Sequence, residues 1–156
     1  EQNVDALLAN HVDVLSEAIE RAVALKARVV KEDEQESGLR RVLNLGHTIG
    51  HAIEAYERFE GIRHGEAVSL GMVASARVGV RLGMMQKEEA LRLERLLRSL
   101  GLPTDVAPWL KRAEMFQFLS SDKKRSGETL HYVVPGAPGK VDVVPLSVEK
   151  LQQLLS

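Results

Sequence analysis

The sequence predicts a mainly α-helical domain that ends with a small β-hairpin and a short helix. Upstream of Gly101, apolar residues recur in several segments at alternating three- and four-residue steps, the periodicity of one helix face. Downstream of Pro108, two β-rich runs flank the turn-forming residues 135–139. A length of 156 residues is enough for one compact domain and too short for two typical ones.

The composition excludes several classes of protein. With 21 basic and 22 acidic side chains, the chain lacks the positive field of a nucleic-acid-binding protein. It has no cysteine, so a metal site would have to use imidazole, carboxylate or water. Neither a membrane span of about 18 apolar residues nor a signal peptide is present. We therefore expect a cytoplasmic protein and, because residue 1 is not Met, a fragment or a processed chain.

The first predicted helix has one apolar face, and a lysine lies on it. Lys26 follows Ala22 by four residues and precedes Val29 by three. It either extends its ammonium group away from the core or reaches into a site, and the pattern alone favours the first. The other residues of this face are Leu8, Val12, Leu15 and Ile19.

The remaining elements follow from periodicity and from helix-stop residues. Gly101 and Pro103 stand where a helix should end. We expect helices at 42–58, 66–82, 87–100 and 109–120, a charged loop at 121–127, strands at 129–134 and 140–144, and a last helix from about 148.

The second predicted helix carries the most informative polar residues. His47 and His51 are one turn apart and would face the same way. Gly46 and Gly50 beside them each cost a helix about 1 kcal/mol relative to Ala, so something approaches the backbone closely there, either a ligand or another helix. On a continuous helix, one polar stripe would comprise Arg40, Asn44, His47, His51 and Glu54.

Two further segments add candidate ligands. His64 lies at a loop-to-helix junction and supplies a third imidazole. Two histidines from one helix and a third from another element are a plausible part of a zinc coordination shell. Position 48 is Thr, so the His-Glu-x-x-His signature of metallopeptidases is absent. His11 and His131 have no comparable context. The run 122–125 is typical of a solvated turn, although its lysines could also bind phosphate.

Taken together, these segments resemble the 3-dehydroquinate synthase family over nearly the whole chain. The most specific matches are the run Gly-His-Thr-Ile-Gly-His-Ala-Ile-Glu at 46–54 and His-Gly-Glu-Ala-Val at 64–68. Gln35 and Ser37 depart from the family's usual pattern, but both stand next to retained residues. The other matches are 25–27, 29–30, 33–34, 36, 38–40, 43–44, 71–72 and 122–124.

The resemblance implies an activity and a division of roles among the residues. The family converts 3-deoxy-D-arabino-heptulosonate 7-phosphate to 3-dehydroquinate and phosphate in the shikimate pathway, using bound NAD and a divalent metal, Zn²⁺ or Co²⁺. His47 and His64 would be metal ligands. His51, with Glu36, would be catalytic. The substrate-binding residues would be Lys26, Arg40, Asn44, Lys123 and Lys124.

The resemblance also implies that part of the site lies elsewhere. The family's third metal ligand, a Glu, and its NAD-binding α/β domain precede the segment seen here, and residues 1–156 contain no Gly-rich dinucleotide fingerprint. We therefore expect residues 1–156 to form a C-terminal metal- and substrate-binding domain, inactive alone, of an enzyme that is a homodimer at full length.

Three other functions compete with this one. The first is another sugar-phosphate cyclase, of the 2-deoxy-scyllo-inosose or valiolone synthase type. The second is a metal-dependent polyol dehydrogenase, which shares only the spaced histidines. The third is a noncatalytic helical interaction module, in which the polar stripe would tolerate substitution.

Overall fold

A computed structural model describes residues 1–35, 38–121 and 129–156. Within these ranges the chain forms eight α-helices, one 3-10 helix and a two-stranded antiparallel sheet, so the predicted fold class is confirmed. The chain divides into two compact units, Glu1–Leu43 and Asn44–Ser156. No helix among the described residues has both the length and the apolar character needed to cross a bilayer.

The first unit is dominated by one long helix. Helix α1 covers Val4–Leu8 and helix α2 covers Val12–Glu32, followed by the start of a 3-10 helix at Leu39–Asn44. Most of the predicted apolar face of α2 is exposed, and Val29 is the buried residue among those described on this helix. Lys26 is also exposed.

The second unit is built around helix α4. This helix packs against α3, α5, α8 and strand β1, and its residues Leu70, Ala74 and Val78 are fully buried. The two strands pair so that Leu130 lies opposite Leu146. The elements are α3 (His47–Tyr56), α4 (His64–Arg81), α5 (Lys87–Ser99), α6 (Ala107–Leu110), α7 (Ala113–Ser121), β1 (Leu130–Pro135), β2 (Val141–Leu146) and α8 (Val148–Leu155).

The predicted continuous helix at 42–58 is wrong in its first part. The 3-10 helix ends at Asn44, and Gly46 adopts a left-handed conformation with φ of 80°. Helix α3 begins only at His47. Asn44 therefore precedes a break in the backbone, and the polar stripe of α3 itself starts at His47.

The predicted helix at 109–120 is two helices, α6 and α7. Hydrogen bonds to α3 anchor the residues near the break: the Trp109 indole donates to Glu57 Oε1 at 2.9 Å, and Arg112 Nη1 donates to the Tyr56 hydroxyl at 3.0 Å. These tertiary contacts leave no signature in the local sequence. A prediction from apolar periodicity therefore treats α6 and α7 as one helix.

Helices α3 and α4 are antiparallel and meet backbone to backbone. A Cβ atom on Gly71 would lie 1.8 Å from the carbonyl oxygen of Gly46, and one on Gly50 would lie 3.1 Å from that of Ala67. The close approach predicted from Gly46 and Gly50 is therefore real, and the approaching group is the backbone of α4.

A methyl group at Gly71 should separate the two helices. We expect Gly71→Ala to lower the free energy of unfolding by at least about 2 kcal/mol, since an overpacked contact between backbones cannot relax by side-chain rotation. Urea unfolding followed by circular dichroism measures this change. Gly65→Ala is the matched control on α4, because a Cβ there meets nothing within 4 Å. Equal stability of the two variants would contradict the proposed helix contact.

Tyr132 should cause the free energy of unfolding to decrease at alkaline pH. Its side chain is buried, its hydroxyl accepts a hydrogen bond from Ser75 Oγ at 3.0 Å, and burial raises the pKa of the phenol above its usual value. Above about pH 10 the unfolded chain loses this proton while the folded chain keeps it, so the free energy of unfolding falls as pH rises.

The variant Tyr132→Phe should flatten this alkaline decline, although it loses a hydrogen bond of about 1 kcal/mol at neutral pH. Urea midpoints measured from about pH 8 to pH 11 test the slope. Tyr56→Phe, which replaces the other tyrosine of the sequence, should keep the steep decline. A wild-type slope in Tyr132→Phe would show that this phenol is not responsible.

Candidate metal centre and cleft

Three imidazoles meet where α3 packs against the start of α4. His47 and His51 come from successive turns of α3, and His64 is the first residue of α4. The ring centroids are 5.4 Å apart for His47 and His51, 5.4 Å for His47 and His64, and 5.9 Å for His51 and His64. The antiparallel helix contact thus gathers three residues from two separate segments.

Two of the three rings are held by hydrogen bonds at Nδ1. His47 Nδ1 lies 3.2 Å from the carbonyl oxygen of Leu45, and His64 Nδ1 lies 3.0 Å from Glu54 Oε1. Because a carbonyl or carboxylate oxygen only accepts, Nδ1 carries the proton in both bonds. In the neutral form of each ring, Nε2 then has the lone pair that a metal ligand requires.

Glu54 is the site residue whose partner the sequence did not reveal. It was placed on the polar stripe without a role, yet its side chain is 10 % exposed whereas that of His64 is 58 % exposed. Its spacing from His51 was visible in the sequence. Its pairing with His64 depends on the turn between α3 and α4.

The geometry offers two overlapping sets of metal ligands within the described residues. One is the pair His47 and His64. In the other, ligand atoms of His51, Glu54 and His64 all lie within 4.8 Å of one another. The first set is the one that the family resemblance implies, and metal binding through His64 Nε2 would keep the hydrogen bond from His64 Nδ1 to Glu54.

The residues present fit a divalent metal such as zinc. With Zn–N distances near 2.0–2.1 Å, two imidazoles on a tetrahedral zinc have ring centroids about 5 Å apart, close to the 5.4 Å between His47 and His64. Two protein ligands form an incomplete zinc shell, so a further ligand would have to come from another part of the protein.

His47 and His51 open onto a cleft in the second unit, whereas His64 and Glu54 line a separate, neighbouring cavity. The volume of the cleft is about 820 Å³, within the range of sites for small metabolites. Asn44 and His131 line it, the latter without any signal in the sequence that sets it apart. Phe59, Phe118, Leu119 and Leu130 supply apolar walls.

The other predicted site residues belong to the first unit or lie outside the described residues. Lys26 and Arg40 belong to the first unit. The Arg40 backbone N–H donates to Asp33 Oδ2 at 2.9 Å, and its Nη1 donates to the carbonyl oxygen of Glu34 at 3.1 Å. Glu36, Lys123 and Lys124 lie outside the described residues.

Comparison with known proteins finds relatives in the family that the sequence resembles. The family model described as 3-dehydroquinate synthase C-terminal matches residues 1–125. The 3-dehydroquinate synthase of Pseudoalteromonas atlantica is 43 % identical over 89 % of this chain and 39 % of its own length. That of Thermodesulfovibrio yellowstonii is 37 % identical over 100 % of this chain and 44 % of its own length. The chain therefore spans about two fifths of these relatives.

A solved structure shares the fold. The crystal structure of 2-deoxy-scyllo-inosose synthase complexed with carbaglucose-6-phosphate, NAD⁺ and Co²⁺ matches with a TM-score of 0.74 and 27 % sequence identity. The match covers 92 % of this chain and 41 % of that one.

The two ligand sets predict different effects of substitution on metal binding. If the pair His47 and His64 binds the metal in the full-length protein, His47→Ala and His64→Ala should each weaken binding of Zn²⁺ by more than the roughly 10–100-fold that is typical when a residue next to a ligand is lost. His51→Ala should leave the dissociation constant, measured by chelator competition, nearly unchanged. His11→Ala serves as the control. A large loss of affinity in His51→Ala would favour the set that contains Glu54.

Proposed function

Because the chain belongs to the 3-dehydroquinate synthase C-terminal family, we propose that it provides the metal- and substrate-binding part of a 3-dehydroquinate synthase. The complete enzyme would convert 3-deoxy-D-arabino-heptulosonate 7-phosphate to 3-dehydroquinate and phosphate. The observation that carries this proposal is the cluster of three imidazoles beside a metabolite-sized cleft.

His47 and His64 would hold the metal through Nε2, with a further ligand from outside residues 1–156. When bound, NAD would accept a hydride from a hydroxyl-bearing carbon of the substrate and later return it, and Zn²⁺ or Co²⁺ would polarise the oxygen on that carbon. The nicotinamide would be bound mainly by an α/β domain outside these residues, because they contain no dinucleotide fingerprint. Residues 1–156 alone are therefore expected to be inactive.

His51 is the proposed proton-transfer residue. Its ring lies within 6 Å of both proposed ligand rings, it is exposed, and no hydrogen bond joins it to another described residue. A ring without a hydrogen-bonded partner is available to exchange protons with a substrate. It would contact the substrate hydroxyls and carry protons to and from them, with Glu36 as its proposed companion.

Substrate binding would use both ends of the sugar phosphate. Lys26, Arg40 and Asn44 are the proposed contacts for its carboxylate and phosphate groups, and Lys123 or Lys124 would add a phosphate contact. One observation supports this: Asn44 lines the cleft. We further propose a cytoplasmic homodimer that binds neither nucleic acid nor membrane.

A second candidate is another sugar-phosphate cyclase, because the solved 2-deoxy-scyllo-inosose synthase shares the fold. The relatives at 37–43 % identity, all 3-dehydroquinate synthases, favour the first candidate over this one. A noncatalytic interaction module has no comparable support.

Phosphate release by the full-length protein, supplied with NAD and Zn²⁺, separates the two candidates. We expect release from 3-deoxy-D-arabino-heptulosonate 7-phosphate and none from glucose 6-phosphate. The reverse selectivity would establish the other cyclase activity. His51→Ala should lower kcat by about 10²–10⁴-fold while the metal content stays the same, as expected for loss of an acid–base group. Full activity in this variant would contradict the role of His51.

A further inference from the structure

Glu54 is a carboxylate in an unusual position. It lies on α3 with 8 % of its surface exposed, and acidic side chains are rarely buried without a partner. The partner is His64, whose Nδ1 is 3.0 Å from Glu54 Oε1. Among the described residues, no other side chain forms a hydrogen bond or ion pair with Glu54.

The hydrogen bond to Glu54 determines which ring nitrogen of a neutral His64 carries the proton. A neutral imidazole in water distributes its proton between Nδ1 and Nε2, and only the nitrogen without the proton can bind a metal. The Glu54 carboxylate accepts from Nδ1, so it selects the form in which Nε2 has the lone pair. It also restrains the rotation of a ring whose side chain is otherwise 58 % exposed.

We propose that Glu54 is a positioning residue of the metal centre, which fixes His64 in the Nδ1-protonated form and in the orientation that lets Nε2 bind the metal. This inference rests on the proposed function, because it takes His64 to be a ligand. Carboxylate partners of ligating histidines orient the ring and raise its basicity, and their loss typically weakens metal binding about 10–100-fold.

Two other roles for Glu54 make different predictions. As a direct ligand with His51 and His64, it would contribute an oxygen to the coordination shell, and its removal would change the coordination number. As a purely structural residue, it would stabilise α3 without affecting the metal. The hydrogen bond to Nδ1 favours the positioning role, because a carboxylate engaged by that proton selects the opposite ring nitrogen for the metal.

The first experiment determines which ring nitrogen of His64 carries the proton when no metal is bound. In the metal-free full-length protein labelled with ¹⁵N-histidine, NMR of the ring nitrogens should show His64 protonated mainly at Nδ1. In Glu54→Ala the proton should shift toward Nε2. Glu57→Gln is the matched control. It removes the partly buried carboxylate that directly follows α3 and accepts from the Trp109 indole at 2.9 Å, and it should leave the His64 signal unchanged. An unchanged His64 signal in Glu54→Ala would overturn the proposal.

The second experiment measures the affinity of the site for Co²⁺ and the coordination geometry of the bound ion. Chelator competition should show that Glu54→Ala raises the dissociation constant for Co²⁺ by about 10–100-fold, Glu54→Gln by less, and Glu57→Gln not at all. The visible spectrum of the Co²⁺ form should keep its coordination geometry in all three variants. A changed coordination number in Glu54→Gln would make Glu54 a ligand and overturn the positioning role.

His64→Ala distinguishes failure of this inference from failure of the proposed function. If His64→Ala weakens Co²⁺ binding while both Glu54 variants retain wild-type affinity, the positioning role is wrong and the metal assignment stands. If His64→Ala also binds Co²⁺ normally, the metal assignment is wrong, and the inference fails with it. A lower unfolding midpoint in Glu54→Ala with wild-type metal affinity would assign the residue a structural role alone.

Discussion

The backbone contact between α3 and α4 is the constraint on which the candidate site depends. The carbonyl oxygen of Gly46 occupies space that any side chain at Gly71 would need. His47 follows Gly46 directly, and His64 begins the helix that carries Gly71. The ring separations of 5.4–5.9 Å therefore follow from a helix spacing that only glycine permits.

The same contact explains why the chain uses residues with poor helix propensity near its most polar residues. Gly50 packs against Ala67 one turn beyond Gly46, so the two helices stay close along the length of α3. The cost of about 1 kcal/mol for Gly50 within α3 is offset by burial of the facing surfaces, including the fully buried Ile49, Ile53 and Leu70. Gly46 precedes the helix, where its left-handed backbone favours glycine. Stability and site geometry thus depend on the same positions.

The three imidazoles differ in how tightly the fold restrains them. His47 and His64 each donate from Nδ1, to a backbone carbonyl and to a buried carboxylate respectively, so both rings have defined orientations. His51 has no such bond among the described residues. Fixed rings suit metal ligands, and a ring free to exchange protons suits acid–base chemistry, so the proposed roles agree with the observed restraints.

The sequence by itself determined the elements whose signals are local. Helices α4 and α5 and the hairpin begin and end within two residues of their predicted limits, and α8 begins where it was predicted to begin. Apolar periodicity and Gly or Pro stops act over a few residues, which makes these limits visible in the sequence. Histidine spacing likewise identified His47, His51 and His64 as candidates. Tertiary structure alone decided the break at Gly46, the division between α6 and α7, and the Glu54–His64 pair. Each of these depends on contacts between separate elements, whose energies a local pattern does not contain.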